Sequence, residues 1–142
     1  MQPLRVLGSV NLDVVANVSH LPAPGETVGG ATLAFHPGGK GANQALAAAR
    51  MGADVVFTAA VGDDAEAGLA TPLLAAEPRI ELDLSVAELP TGIALNVVEG
   101  NGENQIVVAP GANASLGPDA VGLPTSVPLL CQLEVPIETV AA

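Results

Sequence analysis

The stretch that most constrains the fold is Pro37-Gly-Gly-Lys-Gly-Ala-Asn-Gln44, which runs straight into an alanine-rich segment ending at Met51. Glycine disfavours regular helix, whereas alanine and leucine favour it. The spacing therefore predicts a sharp turn feeding a helix over Ala42 to Met51, stopped by Gly52. Asp54 then leads into a strand expected over Val55 to Val61. A second helix is expected over Ala65 to Ala76, disturbed by Pro72. Upstream, Leu4 to Leu7 reads as a short buried strand and Asn11 to Val18 as another. Pro22, Pro24 and Gly25 mark a turn. Thr27 to Phe35 is a strand candidate interrupted by Gly29 and Gly30. Strand and helix alternating in this way is the pattern of an α/β sheet with crossover connections.

Further along, Ile80, Leu82, Leu84 and Val86 alternate with Glu81, Asp83 and Ser85, which predicts a half-solvated strand. Ile93 to Val98 and Gln105 to Ala109 flank Glu99-Gly-Asn-Gly-Glu103, a hairpin with an exposed tip. A hairpin fits poorly inside a βα repeat, so a small sheet projecting from the main one is expected. Pro110 to Pro128 has little periodicity. Leu129 to Leu133 is a strand candidate, with Glu134 at its end. Pro136 suits the first turn of a helix. That helix would begin at Ile137 and is not completed by Ala142, which implies an incomplete domain.

Charge narrows the ligands. Fifteen acidic residues against four basic ones give a formal net charge of -11. A nucleic-acid backbone wants a basic patch, so nucleic acid is excluded as a partner, and an anionic membrane surface is disfavoured on the same ground. Phosphorylated ligands stay open, because a helix N-terminus can hold phosphate with few side chains. Cys131 is the single cysteine. It can form no internal disulfide, and a reduced, cytoplasmic setting is expected. The first residues lack the basic and apolar regions of a signal peptide, and no apolar run reaches membrane-spanning length.

Several residues are candidates for chemistry. Asn11 and Asp13 share one side of a strand if its geometry persists. At the carboxyl end of an α/β sheet they would suit a polyol, since Asp accepts from hydroxyls and Asn both donates and accepts. The alternative is a cap or turn stabiliser. Gly38-Gly39-Lys40-Gly41 lets backbone N–H groups approach a ligand beside the positive end of a helix, with Asn43 in reach. It is neither the nucleotide P-loop nor the dinucleotide fingerprint, and a plain strand-to-helix connection is the competing reading. Glu134 is either solvated or aimed into the cleft of Asp13. Asp63 and Asp64 are most simply a turn and a cap, although carboxylates at such an edge could recruit Mg²⁺. Structural roles are expected for His20 and His36, and Cys131 is expected to be a small buried hydrophobe.

Together the motifs carry a resemblance. GSVNLD at Gly8, LPAPGETV at Leu21, PGGKGANQALAAARMGADV at Pro37, VGDDA at Val61, PTGIAL at Pro90, NGENQIVVAPGAN at Asn101 and QLEVP at Gln132 occur in the order found in the ribokinase-like (PfkB) carbohydrate kinase family. NGENQI, PGAN and QLEVP lean toward its ribose-phosphorylating members over the fructose and adenosine kinases. The resemblance implies a Rossmann-like three-layer α/β/α sheet, incomplete here, with a small β-sheet lid formed by segments near 13–36 and 93–109. It implies that residues 1–142 form the sugar-binding portion, with Asn11, Asp13, Gly38, Gly39, Lys40, Asn43 and Glu134 at the sugar. The reaction implied is transfer of the γ-phosphoryl of ATP to the 5-hydroxyl of D-ribose, with Mg²⁺ and a monovalent cation. The lid would pair two subunits.

The family keeps its base aspartate in a C-terminal GAGD-type motif that this sequence lacks. No catalytic residue is therefore expected among Met1 to Ala142, and the nucleotide-binding half is expected to be missing. Two departures from the family pattern stand out. Asn96 falls where the lid is usually apolar, and the block Asp119 to Pro128 is short and proline-rich. A non-catalytic sugar-binding module, or a fragment without function, are the alternatives.

Overall fold

A computed structural model describes residues 3–120, 122 and 126–142, so Met1, Gln2 and part of the proline-rich block 119–128 lie outside the described residues. Two sheets organise the chain. The first is wholly parallel, in the order β5-β4-β1-β8, from β1 (Leu4–Leu7), β4 (Val55–Gly62), β5 (Ile80–Ala87) and β8 (Leu129–Cys131). The second has the order β3-β2-β6-β7, from β2 (Asn11–Val18), β3 (Thr32–Gly38), β6 (Gly92–Glu99) and β7 (Asn104–Ala109). β6 and β7 form the expected hairpin, and β6 runs parallel to β2.

Helix α1 (Lys40–Arg50) lies on β1 and β4, and its small buried residues Ala42, Ala45 and Ala49 let it sit close to the strands. They join Val6, Val55, Phe57 and Leu74 in the main core. The other face of the sheet is covered by a 3₁₀ turn (Gly111–Ser115) and by helix α4 (Ile137–Ala141). There Leu7 and Ala60 meet Ala112, Leu116 and Val135. The result is an α/β fold of three layers, the third of them thin.

Several expectations need correction. The third strand begins at Thr32, after Gly30 at φ 77°, and continues through Pro37 to Gly38. Its limits follow from pairing with β2, in a register from Asn17↔Thr32 to Asn11↔Gly38, rather than from local propensity. α1 starts two residues earlier than expected, because Gly39 rather than Gly41 ends the turn. The second helix is two, α2 (Ala65–Ala70) and α3 (Pro72–Ala75), because proline cannot continue a helix but suits the first turn of a new one. Val86 does not share the half-buried face of Ile80, Leu82 and Leu84: it is 69 % exposed, lining a groove at the far end of an edge strand. β8 is three residues long, and Cys131 is only half-buried.

One buried side chain ties both sheets to the 3₁₀ turn. Asn113 is 1 % exposed. Its Oδ1 accepts from the Val10 N–H at 2.9 Å, and its Nδ2 donates toward Val10 O, Asn11 Oδ1 and Pro110 O at 3.1, 2.8 and 3.0 Å. Buried backbone groups left unpaired are costly. Asn113→Ala should therefore destabilise the chain by about 2–3 kcal/mol, measured by urea unfolding. A change within a few tenths of a kcal/mol would mean that water replaces the amide.

Candidate functional site

The strand order turns at β1: β4 and β5 lie on one side of it, and β8 on the other. Chain segments leaving β1 and β8 diverge there, and such switch points are where open α/β sheets bind ligands. Gly8 to Val10 carry the chain from the first sheet into the second, and Glu134 follows β8. The glycine turn before α1 closes the third side.

Ser9 joins all three. Its hydroxyl donates to Glu134 Oε2 at 2.7 Å, with Gln132 Oε1 also within 3.1 Å. The Gly41 N–H approaches Ser9 Oγ at 3.4 Å, and the Ala42 N–H donates to Ser9 O at 2.9 Å. The helix N-terminus expected to face a ligand is thus partly spent on Ser9. Close approach explains the glycines here. Gly39 has φ 93°, and a Cβ at Gly41 would lie 2.5 Å from the Ser9 backbone nitrogen.

Six of the seven expected site residues line one cleft of about 170 Å³: Asn11, Asp13, Gly39, Lys40, Asn43 and Glu134. Gly38 does not line it. A Cβ there would meet the Asp13 carboxylate at 2.3 Å, so Gly38 makes room for that group. The second sheet overhangs the cleft with Ala94, Asn96, Ile106 and Val108. A volume below the roughly 300–1,000 Å³ of drug-sized pockets fits one small polyol. Wider grooves at the end of β5 lack such a convergent polar set. In one of them Asp64 already accepts from Ala67 N and from both Thr91 N and Oγ1, at 2.9, 2.7 and 2.6 Å, so it is a helix cap and clamp.

The two cleft carboxylates differ in state. Burial pushes the Asp13 carboxyl above its ordinary 3.8; His36 opposes the rise, Glu134 adds to it and Lys40 opposes it. Burial also works against charge on Glu134, yet hydrogen bonds from Lys40 and Ser9 outweigh it and hold that carboxyl below its ordinary 4.5. Asn11 is buried and its Oδ1 is taken by Asn113, which leaves its NH₂ to donate. The cleft thus offers an amide donor, an ammonium, and two carboxylate acceptors.

His20 bonds Glu26 Oε1 at 2.8 Å in a loop outside the cleft, a structural role as expected. His36 stands opposite Asp13 in the strand register. The positioning residues Ser9, Asn113 and Gln132 were not singled out from the sequence, although each lies inside a quoted motif. The overhanging Ala94, Ile106 and Val108 were legible only as members of the two hairpin strands.

The pfkB family carbohydrate kinase model matches residues 1–130. Ribokinase of Haemophilus influenzae is 40 % identical over 143 residues, covering 96 % of this chain and 47 % of that protein. The structure of ribokinase from Thermotoga maritima superposes with a TM-score of 0.85 at 35 % identity, covering 99 % of this chain and 48 % of the other. Arabidopsis thaliana ribokinase complexed with ribose and ATP gives a TM-score of 0.78 at 31 % identity, with 99 % and 49 % covered. The chain spans about half the length, or less, of the curated relatives it matches.

The carboxylate pair makes its own prediction. In Glu134→Gln, a charge that raises the Asp13 pKa is gone and Lys40 is freed of its partner. The Asp13 carboxyl should then titrate at lower pH than in the wild type, read by carbon NMR of the side chain. An unchanged titration would uncouple the two groups.

Proposed function

Because the chain belongs to the pfkB family of carbohydrate kinases, we propose that it is the sugar-binding half of a ribokinase-like enzyme, with D-ribose as the ligand. The observation that carries this reading is the convergence of Asn11, Asp13, Lys40, Asn43 and Glu134, from three separate segments, on one cleft of monosaccharide size under a small sheet. Asn11 donates to a sugar hydroxyl. Asp13, once ionised, accepts from two. Glu134 and Lys40, which pair with each other, exchange part of their mutual contact for sugar hydroxyls, and Gly39 lets the sugar approach the backbone. The second sheet serves as the lid, formed by segments near 13–36 and 93–109. Its face away from the cleft carries the exposed Leu33, Phe35, Leu95 and Val107, which favours pairing of two lids in a homodimer.

In a complete enzyme of this kind the γ-phosphoryl of ATP passes to the 5-hydroxyl of the sugar, with Mg²⁺ and a monovalent cation, and a base takes the hydroxyl proton. The residues here do not fit those other groups. No GAGD-type stretch occurs between Met1 and Ala142. Among the described residues, no group of three or more His, Cys, Asp or Glu could hold a metal ion. Asp13 is placed as an acceptor for the sugar rather than as the base. The chain's own contribution is to bind and orient the sugar. No helix among the described residues is long and apolar enough to cross a membrane.

Calorimetric titration of the 142-residue chain with D-ribose should show binding, and Asp13→Ala should weaken it by about tenfold or more, the worth of a charge-assisted hydrogen bond. Unchanged affinity would remove Asp13 from the site. Sugar-dependent ATP turnover should be absent; robust ribose phosphorylation by the purified chain would overturn the assignment of catalysis to other sequence. Affinity should fall with acidification from a pH above 3.8, because Asp13 takes up its proton earlier than a free aspartate does.

A further inference from the structure

The geometry points to Asn96 as a specificity-determining residue, whose carboxamide binds a hydroxyl on the lid-facing side of the sugar. This rests on the reading of the cleft as a monosaccharide site. Strand register places Ala94 and Asn96 on the cleft side of β6, opposite Val108 and Ile106 of β7. Ala94, Ile106 and Val108 are apolar and suit the C–H groups of a sugar ring. Asn96 sets a strong donor and acceptor among them.

That amide is nearly free. Its Nδ2 has one contact, to Ala94 O two residues back at 3.4 Å, and its Oδ1 accepts no hydrogen bond from any described residue. A half-buried amide of this kind is open to water until a ligand covers it. A sugar beneath the overhang displaces that water. The amide then either bonds the sugar or is left unpaired in apolar surroundings. A site with a polar group in this position discriminates strongly against ligands that cannot pair it. An aliphatic side chain at position 96 would accept the same sugars without reading them.

Asn11, Asp13, Lys40, Asn43 and Glu134 contact the ligand from the floor, and Asn96 contacts it from the opposite side. Because a carboxamide both donates and accepts, it reads where a hydroxyl is rather than which role that hydroxyl takes. The favoured ligand is therefore a monosaccharide with a hydroxyl turned to the lid. Its epimer or deoxy analogue at that carbon is rejected.

The test is calorimetry of the full chain against D-ribose, D-arabinose, D-xylose, 2-deoxy-D-ribose and D-fructose. Wild type is compared with Asn96→Ile, Asn96→Ala and Asp13→Ala, each checked for folding by circular dichroism. Wild type should separate its best sugar from the weaker ones, and both Asn96 variants should lose about tenfold in affinity for the best sugar, the worth of one buried hydrogen bond. Their affinity for the weaker sugars should hold or rise, because no amide is left unpaired, so the ratio collapses. Unaltered ratios in both variants, or an equal loss for every sugar, would overturn the role of Asn96 while Asp13→Ala still reports a sugar site. Absence of any sugar binding by wild type would overturn the sugar-site reading and this inference with it.

Discussion

The crossing at Gly8 to Val10 is the constraint on which the rest depends. Within three residues the chain leaves a parallel sheet and enters a second one, and Ser9 and Val10 are fully buried there. Backbone groups in such a bend cannot all reach ladder partners, so they must find others. Gln132 Oε1 approaches the Ser9 N–H at 3.4 Å, Ser9 O takes the Ala42 N–H, and Asn113 satisfies both polar groups of Val10. The partners come from three segments distant in sequence. Assembling the crossing therefore assembles the cleft.

This has a consequence for chemistry. The groups that hold the bend are also those that orient the site. Ser9 fixes Glu134, Asn113 fixes Asn11, and Gly38 leaves space for Asp13. The polar floor is set before any ligand arrives, which lowers the ordering cost of binding. The same packing separates two neighbouring carboxyls. Burial raises Asp13, while hydrogen bonds from Lys40 and Ser9 hold Glu134 down.

The second sheet is built differently. It is a β-hairpin laid beside β2 and β3, and both of its broad faces expose apolar side chains. On the cleft side these are Ile106 and Val108, interrupted by Asn96. On the other side are Leu33, Phe35, Leu95 and Val107. In the first sheet, β8 is an open edge bearing the partly exposed Leu129 and Leu130.

The local elements were legible from residue types alone. Glycine and proline marked the turns, alanine marked α1, a period-two pattern marked β5, and two apolar runs about a glycine-rich tip marked the β6–β7 hairpin. The motifs also named six residues that line one cleft, because the turn glycines and the polar residues beside them form a recognisable pattern. Start and end points that depend on pairing were not legible. β3 is placed by its partner β2, and Val86 is exposed at the end of an edge strand. Nor did the chain announce that Asn113 would reach Val10 across 103 positions, or that Asp13 and Glu134 would share a field. By itself the sequence determined which segments turn, twist or coil, since propensity acts between near neighbours. Only the tertiary structure decided which side chains meet, because the strand order around β1 brings distant segments together and burial makes their polar groups answer to one another.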